Sequence, residues 1–76
     1  MSAKAYILME TVVGRNRDVV QALRQLKGVA SADSVTGGFD VIAIVEAESL
    51  NEVGDLITKK IHHIPGVSRT VTCLVI

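Results

Sequence analysis

The stretch Thr36-Gly37-Gly38-Phe39-Asp40 has residue types that suit the binding of a small charged molecule. A turn with paired glycines offers free backbone N–H groups to an anion, and the aspartate offers a carboxylate to a cation. A free α-amino acid carries both charges on one carbon, so this turn predicts a site for that class of ligand. A plain hairpin turn with an incidental aspartate is the competing interpretation, because glycine-rich hairpins are common.

The adjacent histidines and the lone cysteine do not predict chemistry of their own. His62 and His63 are neighbours on a predicted helix and point about 100° apart, so they cannot chelate one ion, and no third ligand lies nearby. We expect them at a helix C-terminus, where the helix dipole favours positive charge. Cys73 alternates with Val71 and Val75 on a predicted strand, which is typical of a small buried hydrophobe.

Basic residues lie near two predicted helix ends. Lys59 and Lys60 lie in a last helical turn, where they complement the dipole and face solvent. Arg15 and Arg17 flank a helix start, where positive charge is unfavourable, so they hint at an anion or a partner; a solvated loop is the simpler interpretation. The sequence has no Ser/His/Asp or paired-carboxylate constellation, so we predict no catalytic residue, no cofactor and no enzyme.

Hydrophobic periodicity predicts the element order β-α-β-β-α-β. Apolar, β-rich runs predict strands over residues 3–13, 29–35, 39–47 and 67–76. Helical spacing predicts helices over 16–27 and from residue 50 to the Pro65-Gly66 pair. Two β-α-β units joined by a hairpin form an α+β fold, the ferredoxin-like βαββαβ sandwich, in which a four-stranded antiparallel sheet carries two helices on one face.

The start of each helix carries a recognisable signal. Asn16 is the predicted N-cap of the first helix. Ser49 and Glu52 form a predicted capping box, in which the serine side chain accepts from the amide of residue 52 and the glutamate reaches back. Gly54 inside the second helix costs up to about 1 kcal/mol relative to alanine, which predicts close packing against a neighbour.

Both faces of the predicted sheet are apolar, although helices can cover one face only. On the third strand one face carries Val41, Ala43 and Val45 and the other carries Ile42 and Ile44; on the first strand Ile7 and Met9 oppose Tyr6 and Leu8. A bare apolar face of this size is more than a monomer normally exposes. A second copy packed face to face would cover it, so the pattern predicts a homodimer.

Length and composition agree with a single small domain that needs a partner. A chain of 76 residues and 8.1 kDa buries only about 60% of the surface that its unfolded form exposes. One cysteine cannot form an internal disulfide. Eight basic and eight acidic side chains give zero net charge, which argues against unaided binding of nucleic acid or of an anionic membrane. No apolar run approaches about 20 residues, and we expect a cytoplasmic protein.

Three motifs resemble one known family. They are Gly28-Val29 after the first helix, Val35-Thr36-Gly37-Gly38-Phe39-Asp40 at the hairpin, and Ile64-Pro65-Gly66-Val67-Ser68-Arg69-Thr70-Val71-Thr72 at the last strand. Together they resemble the C-terminal effector-binding domain, or RAM domain, of the Lrp/AsnC transcriptional regulators. The similarity covers essentially the whole chain, so residues 1–76 are expected to form a single RAM-type domain. The family's usual helix-turn-helix domain is not in this sequence, which is expected to be a stand-alone form.

The resemblance implies an assembly and a ligand site. It implies dimers through the sheet face, further assembly into octamers or similar rings, and amino-acid effectors held between dimers. One wall of the site would be Thr36, Gly37, Gly38, Phe39 and Asp40, and another would be the hydroxyls of Thr70 and Thr72. The glycine amides would hold the α-carboxylate and Asp40 the ammonium group. Phe39 stands where the family often has tyrosine, so any contact through a phenol hydroxyl is lost.

The predicted function is that of a homo-oligomeric, amino-acid-responsive sensor module. It would act through partners, with helix-turn-helix-bearing relatives as candidates, and not by direct contact with DNA. Two alternatives stay open: a ring-forming structural protein without a ligand, and an enzyme of the dimeric α/β-barrel type. For the enzyme, the sheet positions offer only four polar candidates, namely Tyr6, Glu10, Asp40 and Glu46.

Overall fold

The computed structural model describes residues 2–76 and has the predicted element order. Its elements are β1 (Ala3–Thr11), α1 (Asn16–Arg24), β2 (Val29–Ser34), β3 (Val41–Ala47), α2 (Leu50–Lys59), a 3₁₀ turn (Ile61–His63) and β4 (Val67–Leu74). The strands form one antiparallel sheet in the order β2-β3-β1-β4. The predicted α+β, ferredoxin-like βαββαβ sandwich is therefore confirmed. No helix among residues 2–76 is long and apolar enough to cross a membrane.

The core lies between the helices and one face of the sheet. Every second residue of the central strands is buried there, which is the period-2 pattern of a half-covered sheet. The helices and the turn contribute apolar side chains at helical spacing, and burial of each Val, Leu or Ile contributes about 1.5–3 kcal/mol. The buried residues are Ala5, Ile7, Met9, Val19, Val20, Leu23, Ala32, Val41, Ala43, Val45, Val53, Ile57, Ile61 and Ile64.

The opposite face of the sheet, which we call the open face, carries two apolar rows. Residues directly opposite one another in an antiparallel pair share a face. Tyr6 pairs with Ile44 on one side and with Cys73 on the other; Leu8 pairs with Ile42 and with Val71. Tyr6 is 39% exposed and Cys73 is exposed. The prediction that Cys73 is buried is wrong for the single chain, because its strand face has no helix over it.

Charged pairs bound the open face at both ends. At one end Arg69 Nη1 lies 2.6 Å from Glu10 Oε2, and these two residues are opposite each other in the register. At the other end Lys4 is opposite Glu46, and its Nζ lies 5.7 Å from the centre of the Tyr6 ring. The apolar rows are therefore framed by charge, as in an interface with an apolar centre and a polar rim.

The β2 edge of the sheet is partly protected by a charged side chain. Arg24 on α1 donates from Nε and Nη2 to the carbonyl oxygen of Ala32, at 3.1 and 2.8 Å, and so covers part of the β2 edge. Charged side chains over an edge strand hinder pairing with another sheet.

Several element ends differ from their predicted positions. β1 stops at Thr11, where the ladder with β4 shifts, and Val12 N donates to Gly66 O at 2.8 Å. Val13, predicted as strand, is 99% exposed. The other strands are also shorter than predicted by one or two residues, and α1 ends at Arg24 instead of Lys27. Apolar residues continue past the hydrogen-bonded ladder, so hydrophobicity overestimates strand length.

The helix starts confirm one capping prediction and correct the other. Ser49 Oγ accepts from Glu52 N at 3.2 Å, and the Glu52 carboxylate reaches back to the amide of Glu48 at 2.9 Å. Arg15, not Asn16, is the N-cap residue of α1 and makes no capping bond. Asn16 is the first helical residue, and its Nδ2 instead donates to Ser34 Oγ at 3.4 Å.

Two glycines differ in how much space surrounds them: Gly66 has close neighbours and Gly54 has none. Gly66 has φ +101°, and a Cβ there would lie 2.9 Å from Arg15 Cβ, so the β4 entry needs a glycine. Gly54 is in α2, and a Cβ there would meet nothing within 4 Å. The prediction that Gly54 packs closely against a neighbour is therefore wrong within one chain.

We expect the same substitution at these two glycines to have opposite effects. Gly66→Ala should destabilise the protein by about 1–3 kcal/mol through backbone strain and the Arg15 contact. Gly54→Ala should stabilise it by about 0.5–1 kcal/mol, because alanine is the better helix former. Urea unfolding followed by circular dichroism at fixed chain concentration measures both. A destabilised Gly54→Ala variant would contradict this and indicate that another chain packs on α2.

Candidate functional site

The β2–β3 hairpin holds the first group of predicted ligand residues. Val35 N donates to Asp40 O at 2.8 Å and closes a loop of four residues, 36–39. Of the two glycines, Gly37 has a positive φ of 147° and Gly38 does not. A Cβ at either glycine would meet nothing within 4 Å, and residues 36–38 are exposed. The turn is thus open to a ligand or to a second chain, with Phe39 and Asp40 half-buried behind it.

Asp40 connects three strands. Its amide donates to Met9 O at 2.9 Å, its carbonyl accepts from Val35 N, and its carboxylate Oδ2 accepts from Thr11 N at 2.8 Å. The side chain therefore satisfies a backbone donor at the point where the β1 ladder breaks. The other carboxylate oxygen, Oδ1, has no hydrogen-bond partner among residues 2–76. One oxygen is structural, and the second can receive a ligand's ammonium group.

Thr70 and Thr72 form a second group that lies away from the hairpin. They are opposite Met9 and Ile7 on β1 and so share the helix-covered side of the sheet, at its β4 edge. β1 lies between β3 and β4, which places the latter strands about 10 Å apart. Thr72 is exposed, and Thr70 is half-buried. The hairpin residues are brought together, but one chain does not bring the threonines to them.

The surroundings of Thr70 contain a residue that the sequence did not assign to the site. His62 Nε2 lies 2.9 Å from Thr70 Oγ1. A depression of about 240 Å³ is lined there by His62, Val67, Ser68, Arg69 and Thr70. α2 ends at Lys59 and a 3₁₀ turn follows, so the histidines are not on α2 as predicted. The sequence could not predict this contact between residues eight positions apart, because the contact depends on how the 3₁₀ turn packs on β4.

A larger cleft lies away from these residues. It measures about 700 Å³ and lies at the other end of β3, lined by residues such as Gly28, Glu46, Glu52 and Leu56. None of the predicted ligand residues lines it, and Glu52 is engaged in capping α2. Size alone does not make it the better candidate, since the hairpin offers both anion and cation contacts. Within residues 2–76 no group of three or more His, Cys, Asp or Glu side chains could hold a metal ion.

The polar candidates for a barrel-type enzyme have structural partners or lie apart. Glu10 is paired with Arg69, Asp40 holds the Thr11 amide, and Glu46 is exposed at the far end of the open face.

Residues 4–76 match the family model of the Lrp/AsnC ligand binding domain. The chain therefore belongs to the Lrp/AsnC ligand-binding-domain family, and the resemblance inferred from its motifs is confirmed. The family is regulatory: a curated relative is an uncharacterized HTH-type transcriptional regulator of Pyrococcus furiosus, 32% identical over 56 residues. That match covers 74% of this chain and 37% of the regulator, so the chain corresponds to little more than a third of the relative's length.

Solved structures give the same fold. A hypothetical protein from Pyrococcus horikoshii is 36% identical with a TM-score of 0.92, and the match covers 100% of this chain and 90% of that one. A transcriptional regulator from Neisseria meningitidis in complex with L-Met has a TM-score of 0.86 at 17% identity, over 97% of this chain and 49% of the regulator. The second likeness shows the fold alone.

The structural role of Asp40 can be separated from any role in binding. Asp40→Ala should destabilise the protein by about 1–3 kcal/mol, because it leaves the partly buried Thr11 amide without its acceptor. Asp40→Asn should cost less, since an amide oxygen still accepts from Thr11. Asp33→Ala is the matched control on the same hairpin, because Asp33 makes only an exposed contact of 3.5 Å with Arg24. Denaturant unfolding compares the three; equal stability of Asp40→Ala and Asp33→Ala would contradict the assignment.

Proposed function

We propose that this chain is an amino-acid-binding sensor module that self-associates and acts through partner proteins without contacting DNA itself. The observation that carries the proposal is the match of residues 4–76 to a ligand-binding domain of a regulatory family. A regulator with this fold that was solved with L-Met supports an amino acid as the ligand class. The partners are proposed to be helix-turn-helix-bearing relatives, and the protein is proposed to work in the cytoplasm.

The proposed ligand site begins at the hairpin. The Gly37 and Gly38 amides would hold the α-carboxylate in the open space around the turn, and Asp40 Oδ1 would hold the ammonium group. Thr36 and Phe39 would complete this wall. A zwitterion fits this pair of contacts, because its carboxylate would face the glycine amides and its ammonium group would face Asp40. An anion alone would be repelled by the Asp40 carboxylate.

Self-association is proposed to use the open face and to continue into an octamer or similar ring. The apolar rows of Tyr6, Leu8, Ile42 and Ile44 support a dimer, because no helix covers this face: Tyr6 is 39% exposed and the other three are half-buried. The proposed ring supplies what one chain lacks. Thr70 and Thr72 of one copy would form the second wall of a site whose first wall is the hairpin of another.

Zero net charge supports action through partners. Non-specific affinity for DNA comes largely from cations that neutralise phosphates. Four of the eight basic side chains here lie within salt-bridge distance of a carboxylate: Arg15, Arg24, Lys59 and Arg69. A DNA-binding relative in the same assembly would provide the contacts that this chain does not favour.

One observation favours a second candidate, a ring-forming protein without a ligand. The contact of Asp40 Oδ2 with Thr11 N gives the carboxylate a purely structural reason to be present. If that were its whole role, the hairpin would serve assembly alone. Ligand binding therefore decides between the two candidates.

The folded monomer should not persist at micromolar concentration, because its open face would remain in water. Gel filtration with light scattering should show no stable 8.1 kDa species. Ile42→Asp should dissociate or unfold the assembly. Val13→Asp is the control: it also replaces an apolar residue with a charged one, but at a position that is 99% exposed and not on this face, so it should leave the dimer intact.

The thiol of Cys73 gives an independent measurement of the same dimer. It lies on the open face, so a disulfide reagent such as Ellman's should react slowly with the assembled wild type and quickly in Ile42→Asp. A folded wild-type monomer with a fast-reacting thiol would rule out the proposed dimer.

An amino acid that binds only the folded state should raise the thermal midpoint. At a concentration one hundred times its dissociation constant it contributes about 2.7 kcal/mol. Each kcal/mol moves the midpoint of so small a domain by about 4–8 °C, so we expect a shift of roughly ten degrees, smaller if dissociation of the assembly limits unfolding. A thermal-shift screen of the common amino acids at millimolar concentration measures this.

The hairpin assignment is tested with two variants. Asp40→Asn should remove most of the ligand-induced shift while leaving the fold intact, because it keeps size and loses charge. Phe39→Tyr should be tolerated, since the family commonly has tyrosine there. If no amino acid shifts the thermal midpoint, the ligand-free ring becomes the better proposal. If Asp40→Asn shows the full ligand-induced shift, the protein is still a sensor, but its ligand site is not at Asp40.

A further inference from the structure

We propose that the cleft between α1 and the edge strand β2 binds a small molecule that carries two anionic groups, a diphosphate or a dicarboxylate. The cleft measures about 610 Å³ and is lined by Asn16, Arg17, Val20, Gln21, Arg24 and Ser34. None of the residues of the proposed amino-acid site lines it. The inference therefore goes beyond the proposed function and is tested separately from it.

The helix α1 brings polar side chains of the cleft to one side. Arg17, Gln21 and Arg24 follow one another at spacings of four and three residues, so they share a helix face. Val20 is 6% exposed and lies beneath this row as an apolar floor, whereas the polar residues that line the cleft are exposed. Ser34 is the last residue of β2 and forms the strand side of the cleft. The cleft thus presents side-chain donors to solvent along its whole length.

Arg24 is held in one orientation by the strand beside it. Its Nε and Nη2 donate to Ala32 O at 3.1 and 2.8 Å, which uses two of the five N–H groups of the guanidinium. Nη2 also lies 3.5 Å from Asp33 Oδ1, an exposed contact that contributes little. Nη1 makes no hydrogen bond to another residue among residues 2–76. A guanidinium that is already oriented loses little further freedom when an anion binds its remaining donors.

Arg17 differs from the other arginines because it has no partner within residues 2–76. Arg15, Arg24 and Arg69 lie 3.3, 3.5 and 2.6 Å from a carboxylate oxygen, whereas Arg17 makes neither an ion pair nor a hydrogen bond there. It lies in the first turn of α1, where the helix dipole disfavours positive charge. Asp18 in the same turn is paired with Arg15 and does not line the cleft. An anion in the cleft would give Arg17 the partner that the chain does not.

The separation of the two arginines indicates the class of ligand. Seven residues of α-helix rise by about 10 Å, so Arg17 and Arg24 stand at separate positions along the cleft. A guanidinium binds carboxylate or phosphate oxygens through two parallel N–H bonds, and a ligand with one anionic group would leave one arginine unused. A nucleic-acid backbone fits less well, because it requires a more extended basic surface and this chain has zero net charge. Two anionic groups on one small molecule match the cleft best.

The test is a calorimetric titration of the full chain with pyrophosphate, succinate and inorganic phosphate, at a fixed ionic strength of about 0.15 M and without divalent cations. Pyrophosphate or succinate should bind at millimolar concentration and more tightly than phosphate, and the tighter of the two identifies the ligand as diphosphate or dicarboxylate. Arg17→Gln should weaken that binding by about three- to tenfold without changing the circular dichroism spectrum.

Arg15→Gln is the matched control. It removes the same charge two residues away, from an arginine that is paired with Asp18 and does not line the cleft. Long-range attraction of the anion falls equally in both variants, so Arg15→Gln should weaken binding by less than about twofold.

Four results would overturn the inference. Equal weakening in Arg17→Gln and Arg15→Gln would show a general attraction to positive charge and no site. Phosphate that binds as tightly as both larger probes would rule out a ligand with two anionic groups. No binding of any probe at millimolar concentration would rule out the site. A short DNA duplex whose binding depends on Arg17 in the same way would replace the small molecule by a nucleic acid.

Discussion

The rest of the structure depends on an imbalance between its layers. The sheet has two apolar faces, and the two helices supply side chains for one of them. The covered face forms the core, whereas Tyr6, Leu8, Ile42 and Ile44 remain on the other. Water is a poor environment for such a surface, and a 76-residue chain with one cysteine has few other means of stabilisation, which is why the proposed function pairs this face with a second copy. On that proposal, the charged residues at both ends of the open face would limit how the second copy can lie, because the apolar centres of the two faces would have to meet.

At the hairpin, the structural role of Asp40 is compatible with its proposed role in binding. Asp40 holds the Thr11 amide at the point where β1 leaves the ladder, and it presents its second oxygen beside an open turn. A carboxylate that is fixed by the backbone loses little further freedom when a ligand arrives, which favours binding. On the proposed function, the structural contact would therefore also prepare Asp40 for the ligand's ammonium group. For this reason the two interpretations of the turn, plain hairpin and ligand site, are not exclusive.

The order of elements and the fold could be predicted from the sequence because they depend on local patterns: period-2 and period-3.6 hydrophobicity, the Ser49 cap and the glycines that lie between each helix and the next strand. What could not be predicted depends on packing. Gly54 was expected to have a close neighbour, since a helical glycine usually needs a reason, but the cause is not within one chain. The contact of His62 with Thr70 requires the helix to end early and a 3₁₀ turn to rest on β4, and no local signal encodes that. The motifs name both proposed groups of ligand residues, but they do not reveal that β1 separates the two groups.

That intervening strand has a consequence for how such a module could respond to a ligand. Because β1 separates the hairpin from Thr70 and Thr72, one chain cannot enclose a molecule as small as an amino acid with both groups. On the proposed function, the complete site exists only where two chains meet. Ligand that binds only the assembled form stabilises that form by mass action, and assembly raises the affinity for ligand by the same factor. Sensing then needs no change of shape within the domain. The population of assembled chains is itself the signal, and a partner that joins the assembly would read it directly.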